Sequence, residues 1–287
     1  MKTHLECIPC FIKQSLEAAQ MATDDKEIQK QVLKEVMKYL LTITFTDSPP
    51  QLSREVHAII KKYTKNNDPY KKVKKQSNEQ VKALYPKLKE IISNAEDPLL
   101  MAIKLAIVGN VIDFGTMKRF NLKQTIDSAI HKHFDDTSYP QFQNRLKKST
   151  TILYLADNSG EIFFDKLLIE ELVKRNKKVT YVVKANPIIN DVLLQDAKDA
   201  QINKIATVIQ GDAGQTKSAP GMVLCFVSDE FKEKLQSFDM VLSKGQGNYE
   251  SLSEYNREIF FLLMIKCPIV AKDIGIEMGQ LVLKVNK

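Results

Sequence analysis

The chain has 287 residues, 44% of them hydrophobic and 27% charged, a globular composition rather than a disordered or fibrous one. No run of about 18 apolar residues marks a membrane span, and the N-terminus lacks the pattern of a secretory leader. Four cysteines do not make a disulfide framework at this length, so a reducing cytoplasm is the expected location. The net charge of +7 comes from lysine, much of it at Lys61, Lys62, Lys65, Lys71, Lys72, Lys74 and Lys75. That cluster suits either a solvated helical face or a nucleic-acid surface, and its field also attracts small anions.

Residues 1–148 read as helices. Thr3 and Glu6 have the spacing of a capping box, and Cys10, Ile12, Leu16 and Ala19 follow at helical intervals. A second helix is expected over 26–41, with Ile28, Val32, Val36, Tyr39 and Leu40 on one face. Ser48-Pro49-Pro50 opens a third, since proline is tolerated in a first turn. A turn at 66–69 precedes a long helix over 70–93. Asp97-Pro98 starts an apolar helix that stops at Gly109-Asn110, and Asn121 with Gln124 opens another towards His131. A last helix covers 139–147.

The pattern changes at Ser149. Apolar runs at 152–156, 179–183, 206–210, 240–243 and 268–271 read as strands, with amphipathic helices between several of them and an edge strand at 281–285. Such alternation predicts a mainly parallel sheet with helices on both faces. The expected fold is a three-layer α/β/α core over 149–287, preceded by an all-helical region over 1–148.

In open α/β sheets, ligands bind beyond the carboxyl ends of the strands. Three strand ends carry chemistry there: Asp157-Asn158-Ser159-Gly160-Glu161, then Lys184 through Asp191, then Lys244-Gly245-Gln246-Gly247-Asn248. Two carboxylates and an amide oxygen from Asp157, Asn158 and Asp191 suit a small hard cation and leave coordination sites open. Asp157 and Asn158 equally suit a turn with an N-cap. Lys244 beside a glycine loop could meet a phosphate, but the spacing is not that of a Walker loop. Lys184 is either phosphate-facing or a plain strand-end charge, and Glu161 either complements a helix dipole or orients water. Cys7 and Cys10 form one C-x-x-C, open to a redox or metal role or to ordinary packing. Cys225 and Cys267 read as core.

These blocks resemble the damage-control phosphatases, formerly the domain of unknown function 89. Cys7-Ile8-Pro9-Cys10, Asp68-Pro69-Tyr70 with Lys74 and Asn78, Gly109-Asn110-Val111-Ile112-Asp113 and Pro187-Ile188-Ile189-Asn190-Asp191 fit in order. The C-x-x-C is similar to the microbial subfamily, and Ser159 replaces a usual alanine. The resemblance implies a metal-dependent phosphatase for small phosphorylated metabolites, either sugar phosphates or damaged cofactor intermediates. It implies Asp157, Asn158 and Asp191 as ligands of Mn²⁺ or Mg²⁺, with Co²⁺ and Ni²⁺ as further candidates. It puts Lys244 and the Gly245 backbone at the phosphate and Asn110 near the substrate, and carries over Asp113, Lys184 and Glu161. Two alternatives stand beside it: a carboxyl methyltransferase-like enzyme, and a nucleic-acid-binding protein using the lysine-rich helices. The first lacks a glycine-rich dinucleotide-type loop after the first strand. Non-catalytic metal binding is a third reading. The partner expected is a small phosphorylated substrate, with no membrane.

Overall fold

The computed structural model describes residues 1–110 and 134–286. Asp113 and the helix expected over 121–131 lie outside the described residues. The leading helices are α1 (Cys7–Ala22), α2 (Lys26–Leu40), α3 (Pro49–Thr64), α4 (Lys71–Ser93) and α5 (Pro98–Gly109). Their starts follow local chemistry. The Asp25 carboxylate accepts from Glu27 and Ile28 N–H at 2.9 and 3.2 Å. Ser48 and Gln51 form a capping box, and Asp97 accepts from Leu99 and Leu100 N–H, both at 3.0 Å. Each such cap satisfies donors that the first turn leaves orphaned. The box expected at Thr3 and Glu6 does not form. Thr3 Oγ1 donates to the Asp47 carbonyl at 2.7 Å instead, and α1 begins only at Cys7.

Next come β1 (Phe134–Asp135), α6 (Tyr139–Lys148), β2 (Thr151–Leu155), α7 (Ile162–Lys174), β3 (Lys178–Val183), α8 (Leu194–Asp199), β4 (Thr207–Gln210) and α9 (Asp229–Ser237). The chain ends with β5 (Met240–Lys244), α10 (Gln246–Leu252), β6 (Phe260–Met264), α11 (Pro268–Ile274) and β7 (Leu281–Val285). The strands form one sheet in the order β1-β7-β6-β5-β2-β3-β4. Every neighbouring pair is parallel except β6 with β7. The chain runs outward from β2 through β3 to β4, then returns to place β5 on the other side of β2. The β2–β5 boundary is therefore the topological switch point, where the crevice of such a sheet opens.

Alternation along the strands builds the three layers. Ile152 and Tyr154 face a core with α4, α5, α6 and α7, while Leu153 and Leu155 face one with α9, α10 and α11. A third cluster joins α1, α2 and α3 through Phe11, Val32, Val36, Leu52, Val56 and Ile60. The compositional change at 148/149 is not a packing boundary. Leu88 and Ile103 share a core with Ile152 and Phe164, and β1 pairs with β7.

Residues 268–271 are not a strand. Proline at the first helical position and Gly275 at φ 80 bracket a helix there, and Val270 and Ile274, four residues apart, make its buried face. The strand lies earlier, at β6, where Phe-Phe-Leu-Leu-Met is apolar on both faces as a fully covered strand must be. Two cysteines also depart from expectation. Cys225 is exposed, and Cys267 is the partly buried N-cap of α11.

Leu168 is fully buried between α7 and the sheet. Leu168→Ala is expected to cost about 2–5 kcal/mol, measured by urea unfolding. A loss below about 1 kcal/mol would contradict this packing.

Candidate functional site

The Asp157 loop leaves β2 at the switch point, and the Asp191 loop leaves β3 beside it. Backbone pairing joins them. Ser159 N–H donates to the Asn190 carbonyl and Val192 N–H to the Asp157 carbonyl, each at 2.8 Å. Asn158 and Asp191 thereby pair as an antiparallel bridge. Two segments more than thirty residues apart in sequence thus arrive side by side.

Ile189 sits at φ 41 in the Asp191 loop. A β-branched residue there is strained, at about 1–3 kcal/mol. Its side chain packs on the α1–α3 cluster, and Lys61 on α3 donates to the Pro187 carbonyl. The helical half therefore holds this loop in its strained form.

Around Asp157 the hydrogen bonds converge. Asn110, which caps the end of α5, donates to Asp157 Oδ2 and to Glu161 Oε1, both at 2.7 Å. Asn158 Nδ2 donates to the same two oxygens at 2.9 and 2.7 Å. Glu161 and Asp165 are four residues apart, one above the other on the α7 side of the crevice. Both accept from Lys244 Nζ, at 2.8 and 2.9 Å. The hydroxyls of Tyr154 and Tyr181 complete the shell of Asp165, each at 2.7 Å.

Among the described residues, the charges in contact do not balance. Asp157, Glu161, Asp165 and Asp191 are four carboxylates, and Lys184 and Lys244 are the ammoniums within ion-pairing distance of them, while Asp212, Lys74 and Lys266 act from further away. Asp191 is 2% exposed and its Oδ2 has no hydrogen-bond donor. The nearest ammonium, Lys184 Nζ, is 3.9 Å away and donates to the Gly221 carbonyl at 2.5 Å. Burial pushes the Asp191 carboxyl up to about 7, which Lys184 offsets only in part. Burial, then the Glu161 and Asp191 charges, hold Asp157 well above the ordinary carboxylate range. Burial also raises Asp165 despite Lys244. Left alone, such a cluster sheds charge by taking up protons.

A divalent cation would offset that charge, and the donors fit one: an amide oxygen and two carboxylates freed of protons, one of which has an orphaned Oδ2. Among the described residues, His, Cys, Asp and Glu side chains do not gather in threes that could hold a metal. The set is thus one of hard oxygens with an amide member, open to further oxygen ligands.

Some residues sit differently from the expectation. Lys244 is 0% exposed and gives its ammonium to two carboxylates, so it lies beneath the crevice. It meets a phosphoryl oxygen only by exchanging a bond or through its third N–H. Gly245 N–H goes to the Leu262 carbonyl at 3.0 Å, because β5 pairs with β6 there. Gly245 contributes the lack of a side chain instead: at φ 81, a Cβ would overlap the Asp157 carboxylate. Lys184 is buried, with its ammonium held by Gly221. The lysine cluster is divided as well. Lys61 and Lys74 turn inward, Lys74 to Asp68 at 2.8 Å.

Three residues of the site went unassigned in the sequence. Asp165 interrupts Ile-Phe-Phe on α7, and its spacing from Glu161 was the available signal. Asn248 donates to the Lys244 and Ala156 carbonyls at 2.8 and 3.1 Å, tying the ends of β5 and β2. Asn78 accepts from Gly160 N–H at 2.6 Å and so holds the Asp157 loop from α4. Asn78 and Asn248 fall in blocks quoted above from the sequence, but those blocks gave neither residue this bonding role.

Residues 3–282 match the damage-control phosphatase ARMT1-like domain. An uncharacterized protein of Methanocaldococcus jannaschii is 36% identical, over 99% of this chain and 95% of its own length. A damage-control phosphatase of Archaeoglobus fulgidus is 33% identical over 99% of both. The crystal structure of a DUF89 family protein from Pyrococcus horikoshii is similar at a TM-score of 0.88 and 33% identity, covering 100% of both chains.

The raised Asp191 carboxyl has a consequence for stability. The folded chain holds a proton that the unfolded chain releases between about pH 4 and 7, so stability falls as pH rises through that window. In chelator-treated protein, Asp191→Asn should raise the melting temperature more at pH 8 than at pH 5. Equal increments at both pH values would contradict the shift.

Proposed function

This chain belongs to the damage-control phosphatase ARMT1-like family, and we propose that it hydrolyses phosphomonoesters of small metabolites with a divalent cation held by Asp157, Asn158 and Asp191. The family supports phosphatase function in metabolite repair. The candidate substrates are sugar phosphates and damaged cofactor intermediates, and the candidate ions are Mn²⁺ and Mg²⁺, with Co²⁺ and Ni²⁺ behind them.

The observation that carries the reading is the pair of buried carboxyls, Asp157 and Asp191, raised in pKa and brought together where their loops pair, with Asp191 Oδ2 lacking a hydrogen-bond donor. When bound, the cation supplies Lewis-acid stabilisation of charge growing on the phosphoryl group. The rest falls to the chain. Asp157 receives two amide N–H bonds on Oδ2, which tie up that oxygen and leave water as the better nucleophile. Asn110 and Asn158 bridge Asp157 to Glu161, so the three move as one unit. Lys244 neutralises Glu161 from below and keeps it a hydrogen-bond acceptor. Such preorganisation is where the rate gain of phosphoryl transfer arises.

The site lacks the features of the methyl-transfer alternative, since its acidic loop offers no glycine-rich cradle. Inward-turned Lys61 and Lys74 weaken the nucleic-acid alternative.

Asp157→Ala and Asp191→Ala should each lower Mn²⁺-dependent release of phosphate from p-nitrophenyl phosphate by more than about 100-fold, with the melting transition retained. Activity equal to wild type in either variant would remove the metal assignment.

A further inference from the structure

A cavity of about 680 Å³ lies against the Asn186-Pro187 segment that leads to Asp191, a size that suits a small metabolite or part of one. Its walls come from α3, from the loop after β3 and from the segment after β4. Lys61, Lys62, Lys65 and Lys217 line it, with Asn186 and Thr216 between them, and no carboxylate does. Lys217 pairs with Glu55 outside the lining. Lys61, Lys62 and Lys65 have no carboxylate within ion-pairing distance among the described residues, and Lys62 and Lys65 are exposed. The cavity is thus cationic and amide-lined, with Lys217 paired to Glu55 and Lys61 partly offset by Asp68, which leaves Lys62 and Lys65 as its least compensated charges.

The same loop forms its wall and carries Asp191. Asn186 N–H donates to Ser218 Oγ at 3.0 Å, and Asn186 Nδ2 to the Gln215 carbonyl at 2.8 Å. Lys61 reaches the Pro187 carbonyl. These bonds fix the wall. Pro187 lies four residues before Asp191, at most about 14 Å even if extended. A single small molecule spans that distance. Burial also lowers Lys61, which is already partly stripped of water, so an arriving anion meets a poorly screened charge.

We infer that this cavity is a second-anion subsite, which takes a carboxylate or phosphate at the far end of a substrate whose phosphomonoester lies at Asp157, Asn158 and Asp191. The inference rests on the phosphatase reading and narrows its substrates to metabolites with two anionic groups. Lys62 and Lys65 supply the long-range attraction, and Lys61 and the Asn186 amide supply the closer contacts.

The test compares wild type with a Lys62→Ala/Lys65→Ala double variant, both substitutions being at exposed positions. The readout is kcat/KM for fructose 1,6-bisphosphate divided by kcat/KM for p-nitrophenyl phosphate. The variant should lower this ratio about tenfold, through KM for the bisphosphate. An unchanged ratio would overturn the subsite. Binding of inorganic pyrophosphate to the whole chain in EDTA, by calorimetry, separates this failure from failure of the phosphatase reading. If wild type hydrolyses neither ester, the pyrophosphate affinity decides: about tenfold weaker binding in the variant upholds the subsite, and equal binding overturns it.

Discussion

Among the described residues, four carboxylates crowd the crevice at the sheet's switch point with two ammoniums, Lys184 and Lys244, in contact with them, and the rest of the architecture follows from keeping them there. Burying unbalanced charge is among the most costly things a fold does. The chain limits that cost with donors rather than with further cations. Asn110 and Asn158 give two N–H bonds to each of Asp157 and Glu161. Lys244 is shared between Glu161 and Asp165, and two tyrosine hydroxyls finish Asp165. What stays uncompensated is concentrated at Asp157 and Asp191, the two carboxyls raised furthest towards neutrality. Under the proposed function, that residual charge is what a divalent cation would neutralise.

The helical half is part of the site. Asn110 comes from the end of α5 and Asn78 from α4, while the α1–α3 cluster packs against Ile189. These contacts press the two loops together from the side away from the sheet. A free loop would relax Ile189 out of its positive φ and take Asp191 with it. Strain at the binding loop is therefore held by packing elsewhere, as is common at functional sites. The same arrangement lets Lys61 on α3 line the cationic cavity and clamp the loop at Pro187.

Much of this was legible in the sequence, for physical reasons. Continuous apolar runs between amphipathic helices specify a covered parallel sheet, and a covered parallel sheet puts its strand-end loops on one edge. Asp157, Asn158, Asp191 and Lys244 were readable on that ground. The failures were equally physical. Pro268-Ile269-Val270-Ala271 has β-branched residues yet makes a helix, because Pro268 and Gly275 bracket it and tertiary burial decides. Gly245 looked like a phosphate-binding donor, but pairing with β6 takes its N–H. Lys244 read as a phosphate contact beside a glycine loop, but the i, i+4 carboxylates of α7 take its ammonium and bury it. Asn78 and Asn248 act across long sequence separations, which no local pattern encodes.

The central claim is that one cation bridges two loops and neutralises their carboxylates. Anomalous diffraction from crystals of the chain soaked in Mn²⁺ tests it most directly. The account predicts a single strong peak within coordination distance of Asp157, Asn158 and Asp191 side-chain oxygens. A crevice without a peak at saturating Mn²⁺, or one whose ion touches Asp157 but not Asp191, would contradict it.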